Sequence, residues 1–407
     1  MKKYYHQAVC LCCANTNLNL VIDLGNQPLA NNLIHQKDED YDTYPLALNG
    51  CLDCGHLQLK YFVDPTLLFD DYSYASGTSN TLKNYLDWFA KECLKVVKPG
   101  SDVLEIASND GSLLHYLNLA GYKVTGIDPA KNLCLSAAEK GFNIICDYWP
   151  SDKISKETTY DLIIAQNVFA HNPDPYKFLM GIKNTLSENG IGIIQTSQAM
   201  MFERGQFDTI YHEHYSFFST SSFRKLIERC GLVLNEVLIS DIHGDSYIFF
   251  FSKKVRTLNW FTSAPFYKEK INFNVKFLPE NFLRALTDFN LKVTTIKKDV
   301  VNIIQNYKKD NYKIIFVGAA AKAIVFMNYA QIHPDFVIDE APLKIGKFIP
   351  QVDVEIKALG IIVNIELPIL YIISAWNFKE ELILKLKSRR QLKDKFLTYF
   401  PSFELTQ

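Results

Sequence analysis

Two pairs of cysteines near the start of the chain have the spacing of a metal knuckle: Cys10 with Cys13, and Cys51 with Cys54, each Cys-x-x-Cys. That spacing lets both thiolates of one tight turn face a single ion, and two such turns make a closed, tetrahedral four-thiolate zinc site. Asp53 and Gly55 are residue types that suit the second turn, while Cys12 and His56 lie near enough in sequence to replace one ligand. A closed site leaves no open position for chemistry, so the expected zinc is structural and holds together a region too small to bury its own core. The other concentration of reactive groups is FDTIYHEHYSFFS, from Phe207 to Ser219, with Tyr211, His212, Glu213 and His214 in a row among aromatics. Titratable groups this dense beside apolar rings are costly unless they do something. The run is not the H-E-x-x-H of a helical zinc site. It suits general acid–base work: a neutral imidazole takes a proton near pH 7, a glutamate orients it, and a tyrosine hydroxyl stabilises a developing oxyanion.

Such groups need elements to position them. From about residue 80 to 255, apolar runs alternate with helical periodicity, the βαβ pattern of a parallel sheet. Strands are expected over Asp102–Ile106, Lys123–Ile127, Asn143–Cys146, Leu162–Gln166 and Gly192–Thr196. Leu232–Ile239 and Ser246–Ser252 follow without a helix between them, as a closing antiparallel pair. Pro279 to Tyr307 reads as one long amphipathic helix, and a second alternating segment runs from Ile314 to about Leu386. The start of the chain reads as loop-rich. The expected domains are residues 1–65 for the metal region, 66–255 for the main sheet, 256–310 as a helical connector and 311–407 for the second sheet.

The stretch VLEIASNDGSLLHYL puts Glu105 near the end of the first strand and the turn Ala107–Gly111 ahead of a helix. Gly111 permits close backbone approach there. Asp128, ending the second strand about twenty positions on, is placed to take the hydroxyls of a ribose, and ligands sit at this end of such sheets. Asp147, after the third strand, is placed to meet an adenine amino group. Asn167 and His171 fall just past the next strand end and face the same crevice. The turn reads A-S-N-D-G, with the acid Asp110 where a diphosphate would sit. That disfavours a dinucleotide and suits a ligand with a positive centre, such as the sulfonium and amino groups of S-adenosylmethionine.

Composition narrows the classes further. The 407 residues are 48% hydrophobic and 21% charged, as in a folded protein, and 43 Lys plus Arg against 44 Asp plus Glu leave a net charge of −1. No global basic field exists to hold nucleic acid or an anionic membrane. The amino terminus lacks an apolar leader, and the most apolar segment, Ile361 to Ser374, is broken by Asn364, Glu366 and Pro368. Nine cysteines are then expected as reduced thiols or metal ligands in a cytoplasmic protein, and the chain is expected to act as a monomer.

With these motifs in view, the chain resembles the sugar C-methyltransferase family, enzymes that use S-adenosylmethionine on 4-keto-deoxy nucleotide sugars. The likeness runs nearly end to end, through QPLANNLI, YPLALNGCLDCGHLQL, LLFDDYSYASGTS, VLEIASNDGSLL, NVFAHNPD, DTIYHEHYSFFS, VGAAAKAIVFMNY, VIDEAPLKIGKFIP and SAWNFKEEL. The resemblance implies a class I methyltransferase domain of Rossmann-like α/β fold, preceded by a small zinc-binding region and followed by a second Rossmann-like α/β domain. It implies zinc on Cys10, Cys13, Cys51 and Cys54. The implied catalytic cluster is Tyr74, His171, Tyr211, Glu213 and His214. Cofactor contacts fall on Glu105, Ala107, Asn109, Asp110, Gly111, Asp128, Asp147 and Asn167, and substrate contacts on Lys322, Tyr74 and Tyr211. Two departures stand out: Ala107 where the family has glycine, and G-A-A-A-K-A from Gly318 to Ala323 where it reads G-A-P-A-K-G. The implied reaction is methyl transfer to C3 of a 4-keto sugar through an enolate, with His214 as base. O- or N-methylation of a related sugar, or a binding protein whose chemistry has decayed, are the competing readings.

Overall fold

The computed structural model describes residues 3–69, 80–197, 200–257, 261–390 and 392–407. The chain forms two units. The first comprises Met1–Asn19, Asn49–Ala199 and Glu213–Pro279, and the second Leu20–Leu48, Met200–His212 and Glu280–Gln407.

The first unit is built on an eight-stranded sheet. Its strands are β1 (Asp102–Ile106), β2 (Lys123–Asp128), β3 (Asn143–Cys146), β4 (Tyr160–Gln166), β5 (Leu186–Ser197), β6 (Val233–Ser240), β7 (Ser246–Ser252) and β8 (Tyr267–Lys270). They lie in the order β8-β6-β7-β5-β4-β1-β2-β3. The five from β3 to β5 are parallel, and β7 enters antiparallel between β5 and β6. The apolar run Leu162–Ala165 within β4 follows from cover on both faces, where alternation is not needed. Successive side chains still go to opposite sides: Ile163 and Ala165 join one core with Phe223 and Phe249, and Leu162 and Ile164 join another with Tyr85, Phe89 and Phe261. The central strands fall where the sequence placed them. β5 is longer than expected, twelve residues with a register shift between Leu186 and Ile191.

The second unit has a sheet of its own, β9 (Lys313–Val317), β10 (Phe336–Asp339), β11 (Phe348–Ile349), β12 (Val354–Ala358), β13 (Ile369–Ile373), β14 (Lys395–Thr398) and β15 (Glu404–Thr406). The order is β11-β12-β10-β9-β13-β14-β15, with the inner five strands parallel. The long helix spans Pro279–Lys309 and buries Leu286, Phe289, Val293, Val300 and Ile304, a stripe at helical spacing.

One expectation needs correction. The start of the chain is not loop-rich throughout, for it contains strands Leu18–Pro28 and Thr43–Cys51, of eleven and nine residues. Val21, Ile22 and Leu24 are buried there while Leu20 and Asp23 are exposed, and the Asn and Gly residues around them obscure the pattern. Most of both strands belongs to the second unit. Among the described residues, no helix is long and apolar enough to cross a membrane.

Candidate active site and metal centre

The two knuckles fold alike. In each, the residue after the second cysteine takes a left-handed conformation, Ala14 at φ 63° and Gly55 at φ 72°. Its N–H then reaches back to the first cysteine's carbonyl, Ala14 to Cys10 and Gly55 to Cys51, both at 2.9 Å. A Cβ on Gly55 would stand 2.6 Å from the Phe277 ring, so only glycine fits. Asp53 ties the knuckles together by accepting from Asn15 Nδ2 at 2.8 Å and Asn17 Nδ2 at 3.1 Å. Arg229 adds hydrogen bonds to the Leu11 and Cys12 carbonyls.

Cys10, Cys13, Cys51 and Cys54 converge, with all four sulfurs within 4.8 Å of one another. The Cys10–Cys54 and Cys13–Cys51 sulfurs are 3.6 and 3.5 Å apart. A tetrahedron with Zn–S bonds of about 2.3 Å has edges of about 3.8 Å, so the donor set fits the ion. Crowding makes the thiols unequal: hydrogen bonds from Cys10 and Cys54 hold the Cys51 thiol far below its ordinary value, and these two are pushed up in turn. A divalent cation lets all four be thiolates together. His56 and Cys12 stand outside this group: His56 Nε2 lies 3.3 Å from Ser216 Oγ, and its ring packs 5.0 Å from that of Phe218.

At the carboxyl end of the first unit's sheet, Asp128 braces the turn that follows β1. Its Oδ2 accepts from Asn109 N and its Oδ1 from Ala130 N, both at 2.9 Å, while Ala107 N reaches Ile127 O at 2.8 Å. Each carboxylate oxygen has a second acceptor site, so a ribose hydroxyl still has a partner there. Ala107 and Asn109 hold φ of 59° and 51°. For alanine this costs roughly 1–2 kcal/mol, the strain a glycine would avoid. Asp110 accepts from Ser112 N and Oγ at the start of the helix Ser112–Leu119. A Cβ on Gly111, at φ 77°, would come 2.9 Å from the Phe142 ring. Asp147 is only part-buried; a hydrogen bond from Ser151 Oγ at 2.6 Å is the main reason its carboxyl lies below the usual range.

The fit to a cofactor shows in what this end leaves unsatisfied. Glu105 Oε2, Ser108 Oγ, Gln166 Nε2 and Asn167 Oδ1 are buried without hydrogen-bond partners, around the ends of the neighbouring parallel strands β1 and β4. Burial raises the Glu105 carboxyl well above its ordinary value, and Asp128 and Asp110 add to the shift. The folded-state value thus exceeds the unfolded one of about 4.3. Stability is therefore full below that value and is lost as pH rises through the folded pKa. Glu105→Gln is expected to raise the melting temperature of the cofactor-free chain at pH 8, by about 2–4 °C per kcal/mol recovered, and to give no such gain at pH 5. Calorimetric melting at the two pH values checks this.

The titratable run divides between the units. In the first unit, His171 closes the short helical turn Phe169–His171 after β4, and its ring stands 4.7 Å from that of His214 at 74°. Burial pulls His171 down to about 4, against a hydrogen bond to the Glu213 backbone, so the ring is neutral at physiological pH. Glu213 and His214 are buried, at 4% and 6% exposure. Tyr211 and His212 fall in the second unit. His212 Nε2 donates to the Tyr44 carbonyl at 3.3 Å, and burial lowers its pKa to about 4, so this ring is used on the backbone. Tyr74 lies outside the described residues.

The second unit repeats the braced turn. Gly318 N reaches Ile338 O, Ala319 N reaches Asp339 Oδ2, and Ala341 N reaches Asp339 Oδ1, each at 2.8 Å. Lys322 follows in the helix Ala321–Ala330, with its Nζ 3.9 Å from the centre of the Trp376 ring. Trp376 Nε1 donates to Asp208 Oδ2 at 3.1 Å. Sequence reasoning missed Asp208 and Trp376 as Lys322's neighbours, although both stand inside quoted motifs. Their separation of 168 residues left no local signal of contact.

Three family models cover most of the chain. "C-methyltransferase C-terminal domain" matches residues 280–401, "Methyltransferase domain" residues 76–237, and a zinc binding domain residues 10–69. The chain is 25% identical to the C-methyltransferase NovU of Streptomyces niveus over 414 residues, 96% of this chain and 95% of that protein. It is 32% identical over 107 residues to a ubiquinone biosynthesis O-methyltransferase of Glaesserella parasuis serovar 5, 24% of this chain and 45% of that protein. A TehB-like S-adenosylmethionine-dependent methyltransferase from Corynebacterium glutamicum is 21% identical, with a TM-score of 0.34 over 41% of this chain and 88% of that one. Sheet order, cofactor turn and family matches define a class I methyltransferase dependent on S-adenosylmethionine, with zinc as its second cofactor. Within that class the chain carries a C-methyltransferase C-terminal domain and is similar to a C-methyltransferase over nearly its whole length.

Proposed function

We propose that the enzyme methylates C3 of a 4-keto-deoxy nucleotide sugar through an enolate, with His214 as general base. The observation that carries this reading is the imidazole pair His171–His214, half-buried and buried respectively, on the same unit as the cofactor turn. A carbon nucleophile next to a ketone is made by removing the adjacent proton. His214 takes that proton from C3, the C–H electron pair moves into the carbonyl, and negative charge develops on O4. The neutral His171 adds no charge beside it that would weaken the base. Tyr211, three residues before His214 in the chain, or Tyr74 donates a hydrogen bond to the enolate oxygen, since the single N–H of the neutral His171 is held by the Glu213 backbone.

S-adenosylmethionine, when bound, supplies an electrophilic methyl group on a sulfonium. Glu105, Ala107, Asn109, Asp110, Gly111, Asp128, Asp147 and Asn167 would hold it. Glu105, whose Oε2 lacks a hydrogen-bond partner, would face its positive charge, so Glu105→Gln should weaken cofactor binding by about 10- to 100-fold, the loss of a charged hydrogen bond. We read the protein as cytoplasmic, with its nine cysteines serving as zinc ligands or reduced thiols.

The test is an incubation with methyl-labelled S-adenosylmethionine and a panel of 4-keto-6-deoxy nucleotide sugars in deuterated water, read by mass spectrometry. Gain of one methyl with loss of the C3 proton is expected. Methyl gain with that proton retained would move the reaction to oxygen or nitrogen.

A further inference from the structure

A charged cluster in the second unit takes no part in the chemistry above. Asp208 lies fully buried on the short turn Phe207–Thr209, with Oδ2 on the Trp376 indole N–H and Oδ1 without a hydrogen-bond partner. Lys322 lies over the face of the same indole, and the Asp208 carboxylate acts on it. Lys322 is the second residue of a helix whose first residues have no side-chain cap. A cation there opposes the helix dipole as well as its own desolvation. A lysine persists in such a place when its charge is matched. Here the match is a carboxylate on a distant turn, with an indole ring held by both partners.

What that turn leads into gives the cluster its purpose. Tyr211 follows Asp208 by three residues, and immediately after it His212 donates to the Tyr44 carbonyl. The segment that bears Tyr211 is therefore tied on both sides, by Asp208 before it and by His212 after it. We infer that Asp208 and Lys322, joined through Trp376, are positioning residues that fix the segment presenting Tyr211, so that Lys322 acts through Asp208 and not by touching the sugar. The inference rests on the proposed role of Tyr211 in methyl transfer. Burial pushes Asp208 up to about 6 against the pull of Lys322, and desolvation lowers Lys322, which is half-buried. Tyr399 is the other titratable group under the field of Asp208, and burial raises its hydroxyl.

The test is a double-mutant cycle on the full chain: Asp208→Asn, Lys322→Met, both together, and Lys322→Arg. Removing Lys322 leaves the buried Asp208 charge uncompensated and can unfold the variant, whereas the double variant carries neither charge. With a 4-keto-6-deoxy nucleotide sugar that the labelled assay turns over, each single change is expected to lower kcat about tenfold and to leave the sugar KM within about twofold. The double variant should be no worse than either single, and Lys322→Arg should recover most of the rate. A KM raised about tenfold by Lys322→Met, at unchanged kcat and independently of Asp208, would overturn the inference and make Lys322 a sugar ligand. Trp376 gives a readout that needs no turnover. Its emission is obtained by subtracting the Trp376→Phe variant, and acrylamide quenching of it should rise to the same degree in the singles and the double. Unchanged quenching in all three would overturn the inference, even if no sugar of the panel is methylated.

Discussion

His214→Asn is expected to lower kcat by about 10²- to 10⁴-fold while S-adenosylmethionine still binds with its original affinity. The two halves of that result have separate causes. An amide keeps much of the shape of an imidazole but cannot take a proton, so the C3 hydrogen stays in place and no carbon nucleophile forms. The cofactor turn draws its bracing from Asp128, Asn109 and Ala130, none of which depends on the His214 ring. Single-turnover methyl transfer and calorimetric titration with the cofactor measure the two halves independently. Exchange of the C3 proton into deuterated water should fall together with methyl transfer, because both need the same proton removal. Normal turnover in the variant would move the base elsewhere, and His171, 4.7 Å away ring to ring, is the neighbour to test next.

Loss of the zinc should be as severe in stability as loss of the base is in rate. Cys51→Ser and Cys54→Ser are each expected to reduce bound zinc from about one ion per chain to none. They should also open residues 3–69 to proteolysis. Isolated zinc-finger peptides gain roughly 10–16 kcal/mol from the metal at pH 7. In this chain part of that is backed by packing, since Cys10, Cys12, Cys51 and Cys54 share a core with Phe218 and Phe223. The expected net cost is several kcal/mol, visible as a lower, chelator-insensitive melting temperature in the variants and a chelator-sensitive one in the parent. Metal analysis beside limited proteolysis decides the matter. Full protease resistance at zero zinc would mean that packing alone holds the knuckles.

The sequence revealed those parts whose physics is local. Cys-x-x-Cys is a turn and a donor pair in four residues, so the metal centre was legible at once. β4 was legible from its apolar run Leu162–Ala165, and β1 to β3 from short β-branched stretches set between helical segments. The strand Leu18–Pro28 was not, since its buried Val21, Ile22 and Leu24 fall out of strict alternation and lie among Asn and Gly. Asp128 could be seen as an acid at a strand end, but its two amide partners could not, because residue type does not name a partner. The division of Tyr211-His212-Glu213-His214 between two units was hidden for the same reason. It depends on contacts such as His212 with Tyr44, 168 residues earlier, and nothing local encodes them.

The braced turn occurs twice, once on Asp128 and once on Asp339, each with one amide on a strand carbonyl and two on the carboxylate, though the carboxylate takes the amide two residues after the first in one turn (Asn109) and one residue after it in the other (Ala319). In the second copy, Lys344 lies 3.9 Å from the Asp339 carboxylate and donates to the Ala319 carbonyl at 2.8 Å. A part reused in this way separates architecture from ligand choice: the brace sets the path of the chain, and the charges placed around it decide what it accepts.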